Sequence, residues 1–233
     1  MGDSQDPEAR LKRQRDDLRL LNQVMRHDIR NDLQLVEAYA ELLDDHVDEE
    51  GESYLEVIKE NTESAVGLTT TVRDLSRVML REDVEPEGVA LDRVLSQQVE
   101  EVRSSYGEAV FTVDGTIPSV KVLADEMLGS VFRNVLRNAV QHNDETLPVI
   151  DVTARVDDAD QAAVVRIADN GPGVPPPQRE EIFGKGEKGL DSPGAGIGLY
   201  LVRSLVEGYG GEVWVEGNEP KGAIFVIRLP LVS

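Results

Sequence analysis

The chain of 233 residues has no cysteine. A disulfide, a thiolate metal site and a thiol nucleophile are therefore excluded, which leaves histidine, aspartate, glutamate and asparagine to carry any chemistry. No stretch of 18 apolar residues occurs, so a membrane-spanning helix is not expected. The opening Met1-Gly2-Asp3-Ser4-Gln5-Asp6 lacks the basic and apolar regions of a secretory signal, and a cytoplasmic protein is expected. Basic charge is scarce: 24 basic against 45 acidic residues give a net charge of −21, and only six of the basic residues are lysine. The acids are spread along the whole chain, a surface that suits neither nucleic acid nor anionic membrane. What is present is 40% hydrophobic content, ordinary for soluble globular protein and enough for one large domain or two small ones.

In residues 10 to 47 the apolar positions Leu18, Leu21, Met25, Ile29, Leu33, Val36, Ala40, Leu43 and Val47 recur at steps of three and four. That spacing predicts a helix with one apolar stripe. A second stripe runs Tyr54, Ile58, Asn61, Ala65, Leu68, Val72, Leu75 and Met79, and the polar Asp48-Glu49-Glu50-Gly51 between them predicts an antiparallel hairpin. A lone hairpin leaves broad apolar faces wet, so pairing of two into a four-helix bundle, a homodimer, is expected. His27 points roughly 165° away from the stripe and Asn31 shares its face. A core histidine is therefore not expected there, and Asp28 beside it can hold one ring nitrogen while the other acts as nucleophile. His46 and His142 read as solvated surface histidines.

Glu85-Pro86-Glu87-Gly88 ends the second helix and marks the boundary between units at residues 1–85 and 86–233. Beyond it the pattern predicts a strand near Val89, a helix from Asp92 to Tyr106, and strands at Ala109–Val113 and near Val120–Val122. A helix from Asp125 to Asn143, strands at Pro148–Val156 and Ala162–Asp169, a glycine-rich loop and a helix from Gly196 to Tyr209 follow. Strands at Gly211–Glu216 and Ala223–Leu229 close the chain, and a mixed sheet with its helices on one face is the simplest packing.

Several clusters in the second unit carry chemistry. Asn134 and Asn138 stand one turn apart on a helix, with Val131, Leu136 and Val140 assigned to its other side, and paired amides can offer oxygen to a hard cation such as Mg²⁺ or serve packing. Asp169 closes a strand and opens Gly171-Pro172-Gly173, so its carboxylate can accept from an exocyclic amine while the glycines let a flat ring approach. Gly194-Ala195-Gly196-Ile197-Gly198 enters a helix, a phosphate-site arrangement. It is no dinucleotide fingerprint, since the third glycine would fall on Leu199, and no Gly-x-x-x-x-Gly-Lys-Ser/Thr loop exists. Between them, Phe183 to Pro193 is rich in glycine and suits a short lid from which Lys185 and Lys188 reach phosphates.

His27, the Asn134–Asn138 pair 107 residues later, Asp169 and the final glycine cluster, in that order, resemble the transmitter of sensor histidine kinases of two-component signalling. The resemblance covers residues 10 to 231. It implies an α+β chain: a dimerisation and phosphoacceptor hairpin, then an α/β sandwich ATP-binding domain of the GHKL (gyrase, heat-shock-protein-90, histidine-kinase, mismatch-repair) or Bergerat type. It also implies His27 as phosphoacceptor, Asp28 as general base, Asn31 as the residue of phosphatase activity, Asn138 as Mg²⁺ ligand with Asn134 its companion, and Asp169 as the adenine reader. Gly171, Gly173, Gly194, Gly196 and Gly198 match the glycine boxes. Gln141 replaces a lysine common in the family, Gly186 replaces the lid's second phenylalanine, and Phe183 matches the first. ATP and Mg²⁺ are then the expected cofactors. The expected partners are a response-regulator receiver domain, a second copy of the chain, and an upstream sensor domain or sensor protein. A catalytically silent dimeric scaffold and a protein-serine kinase or ATPase of the same superfamily are the alternatives. A dispersed acidic excess with few lysines also resembles proteins of salt-loving organisms such as halophilic archaea.

Overall fold

The structure is a computed structural model describing residues 29, 31–80, 86–184 and 197–232. It divides into two units, Met1–Arg81 and Glu82–Ser233.

In the first unit, helix α1 (residues 31–43) passes through a 3₁₀ turn at Asp44–His46 into the long helix α2 (Glu49–Leu80). The turn lies earlier than the expected Asp48–Gly51. The cause is Asp48, whose Oδ1 accepts the Gly51 N–H at 3.0 Å while its carbonyl accepts the Glu52 N–H at 2.8 Å. A capping aspartate satisfies orphan donors of the first helical turn and so starts α2 at Glu49. Lys59 on α2 ion-pairs with Asp44, folding the chain back onto the turn. Ala40 and Leu55 are buried, yet Ile29, Val36, Leu43, Tyr54, Ile58 and Leu68 of the expected stripes remain exposed. No described helix is long and apolar enough to cross a membrane.

The second unit runs β1 (Glu87–Ala90), α3 (Leu91–Ser105), β2 (Val110–Val113), β3 (Lys121–Ala124), α4 (Leu128–Gln141), β4 (Val149–Asp157) and β5 (Ala162–Asp169). Two 3₁₀ turns (Pro176–Gln178 and Glu181–Phe183), α5 (Gly198–Gly208), β6 (Glu212–Gly217) and β7 (Ala223–Pro230) follow. β1 pairs with β3 in a small antiparallel sheet, and the main sheet has the order β2-β4-β5-β7-β6. β2 runs parallel to β4 and every other neighbour pair is antiparallel. The mixed α/β sandwich expected from the pattern is thus present.

Alternation decides what the sheet buries. Ile150 and Val152 on β4, Val165 and Ile167 on β5, and Ile227 and Leu229 on β7 are buried with Val131, Phe132, Val135 and Leu136 of α4 and Leu201, Val202 and Leu205 of α5. Each such side chain contributes about 1.5–3 kcal/mol when fully removed from water. On α4 the packing face includes Phe132, Val135 and Ala139, whereas Val140, assigned to the apolar side from sequence, is only half-buried. The same helix begins at Leu128 and not at Asp125. Asp125 is occupied as a turn, accepting the Met127 N–H at 2.6 Å and the Tyr209 hydroxyl at 2.6 Å.

Candidate functional site

Asp169 is the last residue of β5 and is buried, with 7% of its surface exposed. Its Oδ1 accepts two backbone N–H groups, from Gly171 at 2.9 Å and from Ala223 at 3.1 Å. Its other carboxylate oxygen takes no hydrogen bond from a described residue. Burial pushes the Asp169 carboxyl above the ordinary aspartate range, and the two N–H donors pull it back. The result is a fixed carboxylate with one acceptor oxygen to spare, the arrangement needed to read an amine donor.

Close backbone approach shapes the surroundings. Gly222, on the β6–β7 turn, has φ +122° and lies so near the Asp169 carbonyl that a Cβ there would sit 1.9 Å from the oxygen. Gly173 has φ +75°, and a Cβ on it would meet the Gly222 carbonyl oxygen at 2.7 Å. Asn218 completes the contact by donating its side-chain N–H to the Asp169 carbonyl at 2.8 Å. A second set of amides ties the end of α4 to the same place. Asn143 donates to the Asn170 side-chain oxygen at 2.8 Å, which also accepts the Val149 N–H at 2.9 Å, while Asn170 donates to the Leu147 carbonyl at 3.1 Å. Asn143, Asn170, Asn218 and Gly222 were not identified from sequence. Gly222 follows a Glu-Pro-Lys turn, the only local sign, and the partners of the asparagines lie too far along the chain to be read.

Asn134 and Asn138 are both half-buried on α4. Asn134 donates to the Ser130 carbonyl at 2.7 Å, and its Oδ1 stands 3.0 Å from where a Cβ on Gly198 would be. The asparagine helix and the glycine-entered helix α5 therefore meet at the first residue of α5. The Asn138 side chain takes no hydrogen bond from a described residue. Gln141 does not hang free as a lysine would, because its amide donates to the Tyr106 hydroxyl at 2.9 Å. Phe183 is buried, edge-on to Phe225 with ring centroids 6.5 Å apart, and so anchors the chain just before the glycine-rich segment.

Asp169, Gly171, Gly173, Asn134, Asn138 and Gly198 are thus all in the second unit, and Asn31 is exposed on α1 of the first. His27, Asp28, Lys185, Lys188, Gly194 and Gly196 lie outside the described residues. His46 and His142 are exposed, as expected of surface histidines. No cluster of three or more acidic, histidine or cysteine side chains able to hold a metal occurs among the described residues.

A sandwich of this strand order, with paired asparagines on α4, a buried carboxylate ending β5 and a glycine at the start of α5, defines a nucleotide-binding domain. A model of the "Histidine kinase-, DNA gyrase B-, and HSP90-like ATPase" family matches residues 124–233, and one of the "His Kinase A (phospho-acceptor) domain" matches residues 17–80. The mycobacterial sensor histidine kinase MprB is 30% identical, covering 63% of this chain and 97% of that one, with a TM-score of 0.56. Full-length ShkA, solved in complex with AMPPNP, is 27% identical over 91% of this chain and 46% of that one, with a TM-score of 0.60. The adaptive-response sensory kinase SasA of Prochlorococcus marinus is 26% identical over 77% of this chain and 50% of its own length. The chain belongs to the sensor histidine kinases. It spans about half the length of the curated relatives it matches.

Proposed function

We propose that this chain is an ATP-dependent protein-histidine kinase that phosphorylates His27 and passes the phosphoryl group to an aspartate on a response-regulator receiver domain. The observation that carries the reading is the Asp169 carboxylate, held at one oxygen by two backbone N–H groups, in the same unit as the junction of Asn134 with Gly198. Adenine offers an exocyclic amine to the remaining oxygen. The ShkA complex with AMPPNP supports a nucleotide of this kind.

The triphosphate would run from Asp169 towards α4 and the start of α5, where the helix N-terminus favours anionic oxygen. The family resemblance assigns Gly194, Gly196 and Gly198 to that end, with Lys185 and Lys188 as counter-charges. Asn138 fits a Mg²⁺ ligand because its amide is not engaged by a described residue, and Asn134 would assist it. When bound, the ion neutralises phosphate charge. In the transfer step a ring nitrogen of His27 forms a bond to the γ-phosphorus as the bond to the β–γ bridging oxygen breaks, and ADP leaves. Asp28 holds the other ring nitrogen and takes up the proton released from the imidazole. Phosphohistidine then yields its phosphoryl group to the receiver aspartate. Asn31, which the helical periodicity puts on the face expected for His27, is assigned to orient water that hydrolyses the phospho-aspartate to aspartate and inorganic phosphate in the separate phosphatase reaction.

The exposed apolar residues of α1 and α2 support a homodimer through the hairpins. The signal would enter from an upstream sensor domain or sensor protein, in the cytoplasm. The net charge of −21 supports a high-salt setting such as a halophilic archaeon. Incubation with γ-labelled ATP tests the chemistry. Label on the protein that survives base but not acid is expected, and label stable to acid would mean a serine or threonine acceptor.

A further inference from the structure

We propose that Asn218, on the turn between β6 and β7, is a positioning residue that holds the Asp169 carboxylate in the orientation that reads the nucleobase. This rests on the assignment of Asp169 to adenine. The β5–β7 ladder ends at the pair Ala168 and Ile224, and the β6–β7 ladder at Gly217 and Ala223. One residue further, Asp169 and Ala223 no longer pair as strands. Their backbone groups are satisfied by side chains instead: the Ala223 N–H goes to Asp169 Oδ1 at 3.1 Å, and the Asp169 carbonyl receives the Asn218 amide at 2.8 Å.

The rotamer of the carboxylate is therefore set by where the turn puts the Ala223 N–H, and the turn is held by Asn218. Both ends of this side-chain amide are in use, since its oxygen also accepts the Glu219 N–H at 3.0 Å, and the Asn218 backbone N–H closes the turn by donating to the Gly222 carbonyl at 2.9 Å. The turn is seated on Asp169 by Gly222, which leaves no space for a side chain. Lys221 fastens the tip of the turn to the loop after α4 through Asp144 at 2.9 Å and Glu145 at 2.7 Å, exposed contacts that steer more than they stabilise. Without the Asn218 donor, a carbonyl beside a buried carboxylate is left unpaired, and an unpaired buried acceptor drives local rearrangement. Movement of the turn withdraws one of the two donors that fix Oδ1, and the free oxygen loses its aim.

The test compares ATP and GTP binding by calorimetry in the full chain, across pH, for wild type, Asn218→Asp, Asn218→Ser and Asp169→Asn. Asn218→Asp keeps the shape and the acceptor but removes the donor. It is expected to weaken ATP about tenfold, to lower the ATP-to-GTP ratio, and to move the acid limb of ATP binding to higher pH because one N–H that holds the carboxyl down is lost. Asn218→Ser, which restores a donor, is expected to recover most of the ratio, and it carries the test alone if Asn218→Asp does not melt cooperatively. A ratio and acid limb unchanged in Asn218→Asp, or a ratio in Asn218→Ser as low as that of Asp169→Asn, would overturn the proposal while the Asp169 reading stands. A ratio unchanged in Asp169→Asn would remove that reading itself, and this proposal with it.

Discussion

A methyl group at Gly222 has nowhere to go. In Gly222→Ala the new carbon would stand 1.9 Å from the Asp169 carbonyl oxygen, 2.8 Å from its carbon and 3.2 Å from the Asn170 Cα. A carbon and a carbonyl oxygen need about 3.3 Å, and all three obstacles are backbone, so the turn must withdraw by more than an ångström. Withdrawal strains or breaks three hydrogen bonds: Asn218 to the Asp169 carbonyl, Ala223 to Asp169 Oδ1, and Asn218 N–H to the Gly222 carbonyl. At about 1 kcal/mol each, with about 1–2 kcal/mol for an alanine held at positive φ, the loss is about 4–5 kcal/mol. For a chain of this size that lowers Tm by about 8–20 °C. Thermal melts with and without a fixed excess of ATP measure both consequences, since ligand that binds only the folded state raises Tm by an amount that grows with the logarithm of its affinity. Gly208→Ala is the control: no atom lies within 4 Å of its new carbon, and it ends a helix, so it should melt at or above the wild-type temperature. The reasoning is refuted if Gly222→Ala melts within about 2 °C of wild type and keeps the full ATP-induced shift.

Three further outcomes are expected. Because burial raises the Asp169 carboxyl above its unfolded value, the native state binds the extra proton, so lowering the pH through that range should stabilise the nucleotide-free wild type relative to Asp169→Asn while weakening its hold on ATP. Paired melts and ATP titrations across pH check this, and parallel movement of the two quantities would be evidence against it. Asn31→Ala should lower phosphatase activity on a phosphorylated receiver domain at least several-fold more than autokinase activity, and equal losses would mean that it only supports α1. Screening length falls from about 10 Å at 0.1 M salt to about 3 Å at 1 M, so a chain of net charge −21 should gain Tm steadily up to molar salt. A flat profile would reject adaptation to brine.

The sandwich was legible because its strands alternate and its helices carry three- and four-residue spacing, patterns that depend only on neighbours in the chain. Asp169 and Gly171 were legible for the same reason, since Gly171 N–H reaches Asp169 Oδ1 within two residues. Asn218 and Gly222 were not, because what gives them meaning is Asp169, about 50 residues earlier and brought close by the pairing of β5 with β7. Asn143 and Asn170 meet across 27 residues by the same kind of long-range closure. The turn between α1 and α2 was displaced because polarity points to a loop but does not say which aspartate will cap the next helix. Gln141 could be seen to replace a lysine, but its bond to Tyr106, 35 residues away, needed the packing of α3 on α4.

The central claim, that the second unit supplies ATP and His27 receives its γ-phosphoryl group, is tested most directly by His27→Gln in the full chain. Phosphoryl incorporation from γ-labelled ATP and ATP affinity are measured on the same preparation. Loss of the acid-labile label is expected, with ATP affinity within about twofold of wild type. Acid-labile label retained in His27→Gln would contradict it.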